Sequence, residues 1–167
     1  MARTTETDTT EYMAAAGCFC MASREAARKI TRLYDSLMQD SGMRATQFTI
    51  LSQLMLRGEM PLGKLAGLLG MESTTLTRNL APLEQQKWIT ARAGDDPRAR
   101  IIAITAPGRT VVRRAFPYWS SAQAQVGKLL GSDGQAALKL LGTKNLSAKD
   151  LSAKNLNAKN LGSKNLG

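Results

Sequence analysis

The chain has 167 residues, which fits one domain of ordinary size, and its 23 Lys and Arg exceed its 13 Asp and Glu to give a net charge of +10. This basic excess favours an anionic partner such as nucleic acid or acidic lipid. The sequence has no His, so it lacks the commonest general base and the commonest metal ligand. We therefore expect a protein that is not an enzyme and that has no cofactor and no metal site.

The sequence also bears on where the protein acts. No apolar run approaches the roughly 20 residues that a membrane span needs, and the first residues lack the flanks of a signal peptide. Cys18 and Cys20 are separated by one residue, a spacing that disfavours a structural disulfide and indicates reduced thiols. These features predict a cytoplasmic protein with no membrane partner.

The N-terminal part of the chain predicts a tail followed by two helices. Residues 1–11 have no apolar period and predict a flexible tail. From residue 12 to residue 38 the apolar residues recur at steps of three and four, which predicts a long amphipathic helix. These apolar residues are Phe19, Ala22, Ala26, Ile30, Leu33 and Leu37. Gly42 marks the stop of this helix, and a second helix is predicted from Gln47 to Leu56 with Thr46 as its cap.

Residues 61–90 predict a helix, a tight turn and a second helix. Pro61 is a favoured start for the first helix, Gly70 permits a left-handed turn, and Glu72 or Ser73 begins the second helix. The inward-facing residues are Leu62, Leu65, Ala66 and Leu69 on the first helix, and Leu76, Leu80 and Leu83 on the second. Pro82 predicts a bend, or an end to the regular helix soon after it.

The exposed side chains of that second helix are hydrogen-bonding groups suited to base edges and phosphates. In a helix-turn-helix motif this part of the helix enters a DNA major groove. The candidate contact residues are Ser73, Thr74, Thr75, Thr77, Arg78 and Asn79.

A β-hairpin and a long helix follow. The runs from Trp88 to Ala93 and from Arg100 to Thr105 are rich in β-forming residues, and residues 94–99 between them have turn composition. A helical pattern resumes from Pro107 to about Leu130 and forms a long arm suited to pairing with a second copy. Its predicted buried stripe consists of Val111, Val112, Ala115, Trp119, Ala122, Val126 and Leu129.

The last 25 residues, 143–167, are five successive five-residue units that each contain Lys and Leu. On a helix, a five-residue step makes the repeated Leu spiral around the axis, so no single apolar face forms. We expect a flexible or partly helical extension. The alternative is a nonspecific electrostatic arm, since this segment contributes five Lys and one Asp.

The order of elements over residues 46–108 resembles the MarR family of bacterial regulators. The matching motifs are TQFTILSQL, PLGKLAGLLGMESTTLTRNLAPLEQQKWI and DDPRARIIAITAPG, and the resemblance covers roughly residues 12–142. It implies a mainly α fold with a small β-hairpin wing (α+β), a winged helix-turn-helix that dimerises through its terminal helices. The implied segments are a dimerisation helix at 12–44, a DNA-binding lobe at 45–106 and C-terminal dimerisation helices at 107–142.

The resemblance implies a homodimeric, sequence-specific transcriptional regulator that binds a pseudo-palindromic double-stranded DNA operator. Such a protein is expected to be a repressor released by a small-molecule inducer, often a phenolic or aromatic carboxylate bound between the dimer core and the DNA-binding lobe. Asp96 and Arg98 match the family's wing Asp-x-Arg, in which the carboxylate orients the guanidinium as it enters a minor groove. Arg100 is expected to contact a phosphate.

The first helix also resembles that of the organic-hydroperoxide-sensing branch of the family, through the segment CMASREAARKITRLYD. In this alternative, Cys20 matches the reactive cysteine and Tyr34 one tyrosine partner, while Ala45 and Arg24 stand where other tyrosines are expected. Cys18 is an additional thiol, and the pair of thiols offers a further alternative, a Cu(I) or arsenite site spanning the dimer. An alternative of another class is a nonspecific architectural DNA-binding protein or a protein-interaction module.

Overall fold

The computed structural model of the protein describes residues 17–94, 96 and 99–143. The predicted N-terminal tail, the repeats beyond residue 143 and Arg98 lie outside the described residues. The chain divides into two compact units, Met1–Val126 and Gly127–Gly167. The predicted boundaries at residues 44 and 106 remain predictions.

The first unit is built mainly from helices. In chain order these are α1 (Phe19–Leu37), a short 3-10 helix (Gln39–Ser41), α2 (Ala45–Arg57), α3 (Leu62–Leu69), α4 (Ser73–Gln85) and the start of α5 (Ala106–Thr143). The order confirms the predicted mainly α fold with a helix-turn-helix. α4 continues past Pro82 and ends at Gln85, as the proline predicts.

Three strands complete this unit, namely β1 (Met60–Pro61), β2 (Ile89–Ala93) and β3 (Arg100–Ile104). They form an antiparallel sheet in the order β1-β3-β2, and β2 and β3 make the predicted hairpin. The strand β1 was not predicted. Two residues are too few to show an alternating pattern, and a proline cannot donate to a strand ladder.

The core of the first unit is formed where α2, α4 and the sheet meet. The α4 leucines Leu76, Leu80 and Leu83 are fully buried, as their spacing predicts, and Ile102 of β3 is fully buried too. The larger set of core residues on α2 and α5 is Phe48, Ile50, Leu51, Leu54, Val112, Ala115 and Ala122. This packing fixes the side of α4 that faces inward and therefore the side that faces solvent.

The cap predicted for α2 is wrong. The helix begins at Ala45, so Thr46 lies inside its first turn. The backbone N–H of Ala45 donates instead to Asp35 Oδ1 at 2.8 Å, and the N–H of Arg44 donates to Gln47 Oε1 at 3.0 Å. A side chain ten residues earlier in the chain thus satisfies the helix start, and local sequence does not reveal such a partner.

The helix α1 packs on its unit only through its C-terminal part. Tyr34 and Leu37 are half-buried against the core, whereas none of the helix residues is fully buried. At the other end Phe19 is 90% exposed and Met21 is 54% exposed. The predicted apolar stripe of α1 therefore stays largely uncovered by the described residues of its own chain.

The second unit contains the C-terminal part of α5, which is interrupted at Gly131 (φ 64°, ψ −176°). On either side of the break, Gln135 Nε2 donates to the Gly127 carbonyl oxygen at 2.8 Å. Leu129 is 75% exposed, so its predicted place in a buried stripe is wrong. Helical spacing identifies a face, but it does not show whether any part of the chain covers that face.

Candidate nucleic-acid interface

The turn between α3 and α4 sets the direction of the second helix. Gly70 has φ 61°, in the left-handed region that a glycine adopts at little cost. The N–H of the next residue, Met71, donates to the Ala66 carbonyl at 3.0 Å, and Glu72 precedes the first turn of α4. This is the helix-turn-helix geometry that the sequence predicts.

The solvent side of α4 carries the predicted polar residues. At about 100° per residue, Thr74 and Arg78 point away from the side that holds Leu76 and Leu80. Five of the six candidates are exposed and the sixth, Asn79, is half-buried; the exposed ones are Ser73, Thr74, Thr75, Thr77 and Arg78. The structure therefore places five of the six candidates on the solvent side of α4 and leaves Asn79 half-buried at its margin.

Two of these side chains already donate hydrogen bonds to their own helix. Thr77 Oγ1 donates to the Ser73 carbonyl at 2.8 Å, and Asn79 Nδ2 donates to the Thr75 carbonyl at 2.9 Å. Such bonds to the preceding turn hold the side chains close to the helix. They orient the Thr77 hydroxyl oxygen and the Asn79 amide oxygen as acceptors.

The wing is the hairpin formed by β2 and β3. At its tip the N–H of Gly94 donates to the Ala99 carbonyl at 2.7 Å, and the N–H of Ala99 donates to the Asp96 carbonyl at 2.8 Å. Asp96 is exposed. The structure therefore places Asp96 at the wing tip, while its predicted partner Arg98 lies outside the described residues.

Two ion pairs that the sequence did not predict hold arginines of the wing. Arg100 Nη2 of β3 lies 2.7 Å from Glu84 Oε2 of α4, and Arg92 of β2 pairs with Glu59. One signal for the first pair is present in the sequence. A carboxylate such as Glu84 in the last turn of a helix opposes the helix dipole, which favours a compensating cation. The role predicted for Arg100, contact with a phosphate, remains a prediction.

The predicted thiol site lies at the start of α1. Cys18 precedes the helix, Cys20 lies in its first turn, and both are exposed. Tyr34 is fourteen residues beyond Cys20 on the same helix, a rise of about 21 Å. Its hydroxyl donates to Gln123 Oε1, and burial raises the pKa of Tyr34 above its usual value. A single chain therefore does not bring Cys20 and Tyr34 together.

An apolar cavity of about 480 Å³ opens between α2 and α5 in the first unit. The stacked rings of Phe48 and Trp119, with centroids 5.4 Å apart, lie in its wall together with Arg113. Ser52 also lines it, and the buried hydroxyl oxygen of Ser52 has no hydrogen-bond partner among the described residues. A second cavity, of about 350 Å³, lies beside Tyr34 and shares Trp119 with the first.

Two kinds of feature are absent from the described residues. No cluster of three or more potential metal-ligating side chains lies within that part of the chain. None of its helices has the length and apolar character required to cross a bilayer.

Comparison with known proteins identifies relatives that share most of this fold. The profile of the MarR family matches residues 43–98. The M. tuberculosis transcriptional regulator MosR, solved in complex with DNA, is 35% identical with a TM-score of 0.67, over 75% of this chain and 93% of that chain. A second MosR structure is 31% identical with a TM-score of 0.65, over 75% and 91% of the two chains.

Two further proteins are similar to this chain. An uncharacterized HTH-type transcriptional regulator of Bacillus subtilis, YwoH, is 27% identical over 48% of this chain, and the match spans 59% of YwoH's own length. AbfR, solved in an overoxidized form bound to DNA, is 25% identical with a TM-score of 0.59, over 80% of this chain and 98% of that chain. The family profile falls on the helix-turn-helix and wing described above, and the MosR likeness extends through most of the fold. The chain belongs to the MarR family.

Proposed function

We propose that the protein is a sequence-specific DNA-binding transcriptional regulator, a repressor that acts as a homodimer in the cytoplasm. The observation that carries this proposal is the exposed polar surface of α4, with Arg78 opposite the buried leucines and the wing next in the chain. The likeness to MosR, a regulator solved with DNA, supports it. The net charge of +10 adds long-range attraction to a polyanion.

In this proposal α4 enters the major groove and the wing lies along the adjacent minor groove. The hydroxyls and amide of α4 and the guanidinium of Arg78 read base edges or hold phosphates. Asp96 orients Arg98, whose charge is favoured in a narrow minor groove. Arg100, which was predicted to contact a phosphate, forms an ion pair with Glu84.

The dimer follows from the uncovered surface of α1. A helix that leaves Phe19 90% exposed and buries none of its residues fully gains little from its own chain. A second copy that covers Phe19 and Met21 removes apolar surface from water, the main driving force of association. A two-fold dimer then presents two α4 helices to two half-sites of a pseudo-palindrome.

An inducer is proposed to bind the cavity between α2 and α5. Its volume of about 480 Å³ suits a small aromatic molecule, and Phe48 and Trp119 offer ring surfaces. Arg113 also lines the cavity and provides a cation for a carboxylate. Because α2 packs on α4 and on the sheet, a ligand that shifts α2 would alter the DNA-binding surface.

Selection from random DNA duplexes by the purified full chain tests the proposal. At near-physiological salt we expect enrichment of one inverted repeat, bound by two copies of the chain. Binding of all duplexes alike, with a steep salt dependence, would support an architectural protein instead. No appreciable binding would support a protein-interaction module.

A second candidate, a repressor that senses oxidants through Cys20, is favoured by the exposure of both thiols at the start of α1. Oxidation to a sulfenic acid requires an accessible thiol and a peroxide, which is reduced to the alcohol. The relative AbfR has been solved with DNA in reduced and in overoxidized forms. In this candidate function, oxidation at α1 changes the dimer and releases the operator.

A further inference from the structure

We infer that the ion pair between Glu84 and Arg100 is a positioning device, which sets the angle of the wing relative to α4 so that both fit their grooves together. The inference rests on the proposed function. It assigns to Glu84 a part in DNA recognition although its own charge repels DNA. Arg100 then contributes to DNA recognition by pairing with Glu84 and not by contacting a phosphate.

Arg100 lies at the end of β3 that is nearest the wing tip. Alternate residues of β3 share a face, and the inner face carries Ile104, Ile102 and then Arg100. The first two are 6% and 0% exposed, whereas the Arg100 side chain is 40% exposed. Arg100 therefore continues the inner face of the hairpin just where the apolar core ends. It pairs across the hairpin with Ala93, on the rung nearest the wing tip.

Glu84 occupies an unfavourable position for a carboxylate in α4. It lies in the last turn of α4, where a carboxylate is unfavourable because the helix end carries partial negative charge. The pair with Arg100 at 2.7 Å compensates this and joins the C-terminal end of the DNA-reading helix to the tip side of the wing. Without such a contact, the tip of the hairpin could move relative to α4 while the other end of the hairpin stays fixed by the core. A side-chain contact near its tip limits that motion.

The two possible roles of Arg100 predict opposite effects of removing the Glu84 charge. If Arg100 contacts a phosphate, Glu84→Gln frees the guanidinium and removes a repulsive anion, so DNA should bind more tightly. If the pair positions the wing, the same change weakens operator binding although the protein becomes more positive. Affinity for a random duplex, which depends on charge, should stay equal or rise.

Glu59→Gln is the matched control. It removes the same charge and breaks the pair with Arg92, but that pair joins β2 to the residue before β1 and does not join the wing to α4. Operator binding by this variant should be unchanged or slightly tighter. Exposed ion pairs contribute little to stability, so both variants should have nearly the same melting temperature as the original chain. A change in DNA affinity then does not come from unfolding.

The experiment measures the affinity of the full chain for its selected operator and for a random duplex. We expect Glu84→Gln to lose roughly threefold to fivefold in operator affinity, the scale of one exposed ion pair, with no loss for the random duplex. In an Arg98→Ala background the loss should disappear, because the wing no longer reaches its groove.

Tighter or unchanged operator binding by Glu84→Gln overturns the inference. An equal loss with and without Arg98 also overturns it, since the pair would then not act through the wing. These results differ from a failure of the proposed function, in which the original chain itself would show no preference for any operator.

Discussion

At the residue scale, Arg78 is the cation at the centre of the exposed surface of α4. We expect Arg78→Ala to weaken operator binding by about 1–3 kcal/mol, the range for a good base or phosphate contact, without lowering the melting temperature. Lys29→Ala is the control, since it removes one positive charge from α1 outside the proposed interface. Titration of labelled operator by both variants is the measurement. An equal, small effect of the two substitutions would show that Arg78 contributes only net charge.

The wing arginine supplies a second test. Arg98→Ala should lower operator affinity because it removes a minor-groove cation. Arg98→Lys should keep only part of the original operator affinity because a lysine lacks the planar guanidinium. Competition binding at a fixed salt concentration measures both variants. Unchanged operator affinity in Arg98→Ala would remove the wing from the proposed interface.

The exposed thiols give a third test. Cys20→Ser should abolish release of the operator by an organic hydroperoxide, since a serine hydroxyl does not form a sulfenic acid. Cys18→Ser is the matched control, because its thiol lies two residues away and is also exposed. Release is followed by the mobility of the DNA complex with and without reductant. Oxidant-induced release that persists in Cys20→Ser would exclude this residue as the sensor.

At the element scale, two glycines of the helix-turn-helix should respond to alanine in opposite ways. Gly70 has φ 61°, so Gly70→Ala should destabilise the protein by about 1 kcal/mol. Gly67 lies inside α3 with open space where a Cβ would stand, so Gly67→Ala should stabilise by about 0.5–1 kcal/mol. Thermal unfolding of both variants checks this. The same sign for both would contradict the turn geometry.

The sequence predicted elements well where a local pattern coincides with burial. The spacing of Leu76, Leu80 and Leu83 and the glycine before them were enough to predict α4 and its turn, and both are confirmed. Prediction failed where the start or the existence of an element depends on a residue far away in the sequence. The N–H of Ala45 at the start of α2 is satisfied by Asp35, and β1 is a strand because it pairs with Ile101 and Ile102 of β3.

The candidate site also has one part that the sequence could predict and one part that it could not. Helical geometry alone places Thr74 and Arg78 on the solvent side of α4, so their exposure was predictable. The pairing of Arg100 with Glu84 joins residues sixteen positions apart on two different elements. No periodicity reveals such a contact, and the misplaced carboxylate in the last turn of α4 was the one local sign of it.

At the scale of the whole molecule, the central claim is that two copies of the chain read two half-sites together. The exposed start of α1 supports a dimer, and a dimer fixes the distance between its two α4 helices. Half-sites must then lie about one helical turn apart on the same side of the duplex. A regulator of this kind requires that spacing between half-sites, whereas a basic protein that binds any DNA does not.

The most direct measurement is the affinity of the full chain for its selected inverted repeat, for the same repeat with about five extra base pairs between the half-sites, and for a random duplex. The account predicts that the intact repeat binds at least about 10³-fold more tightly than the random duplex. The extra half turn should remove most of that preference. Equal affinity for all three duplexes would contradict the account.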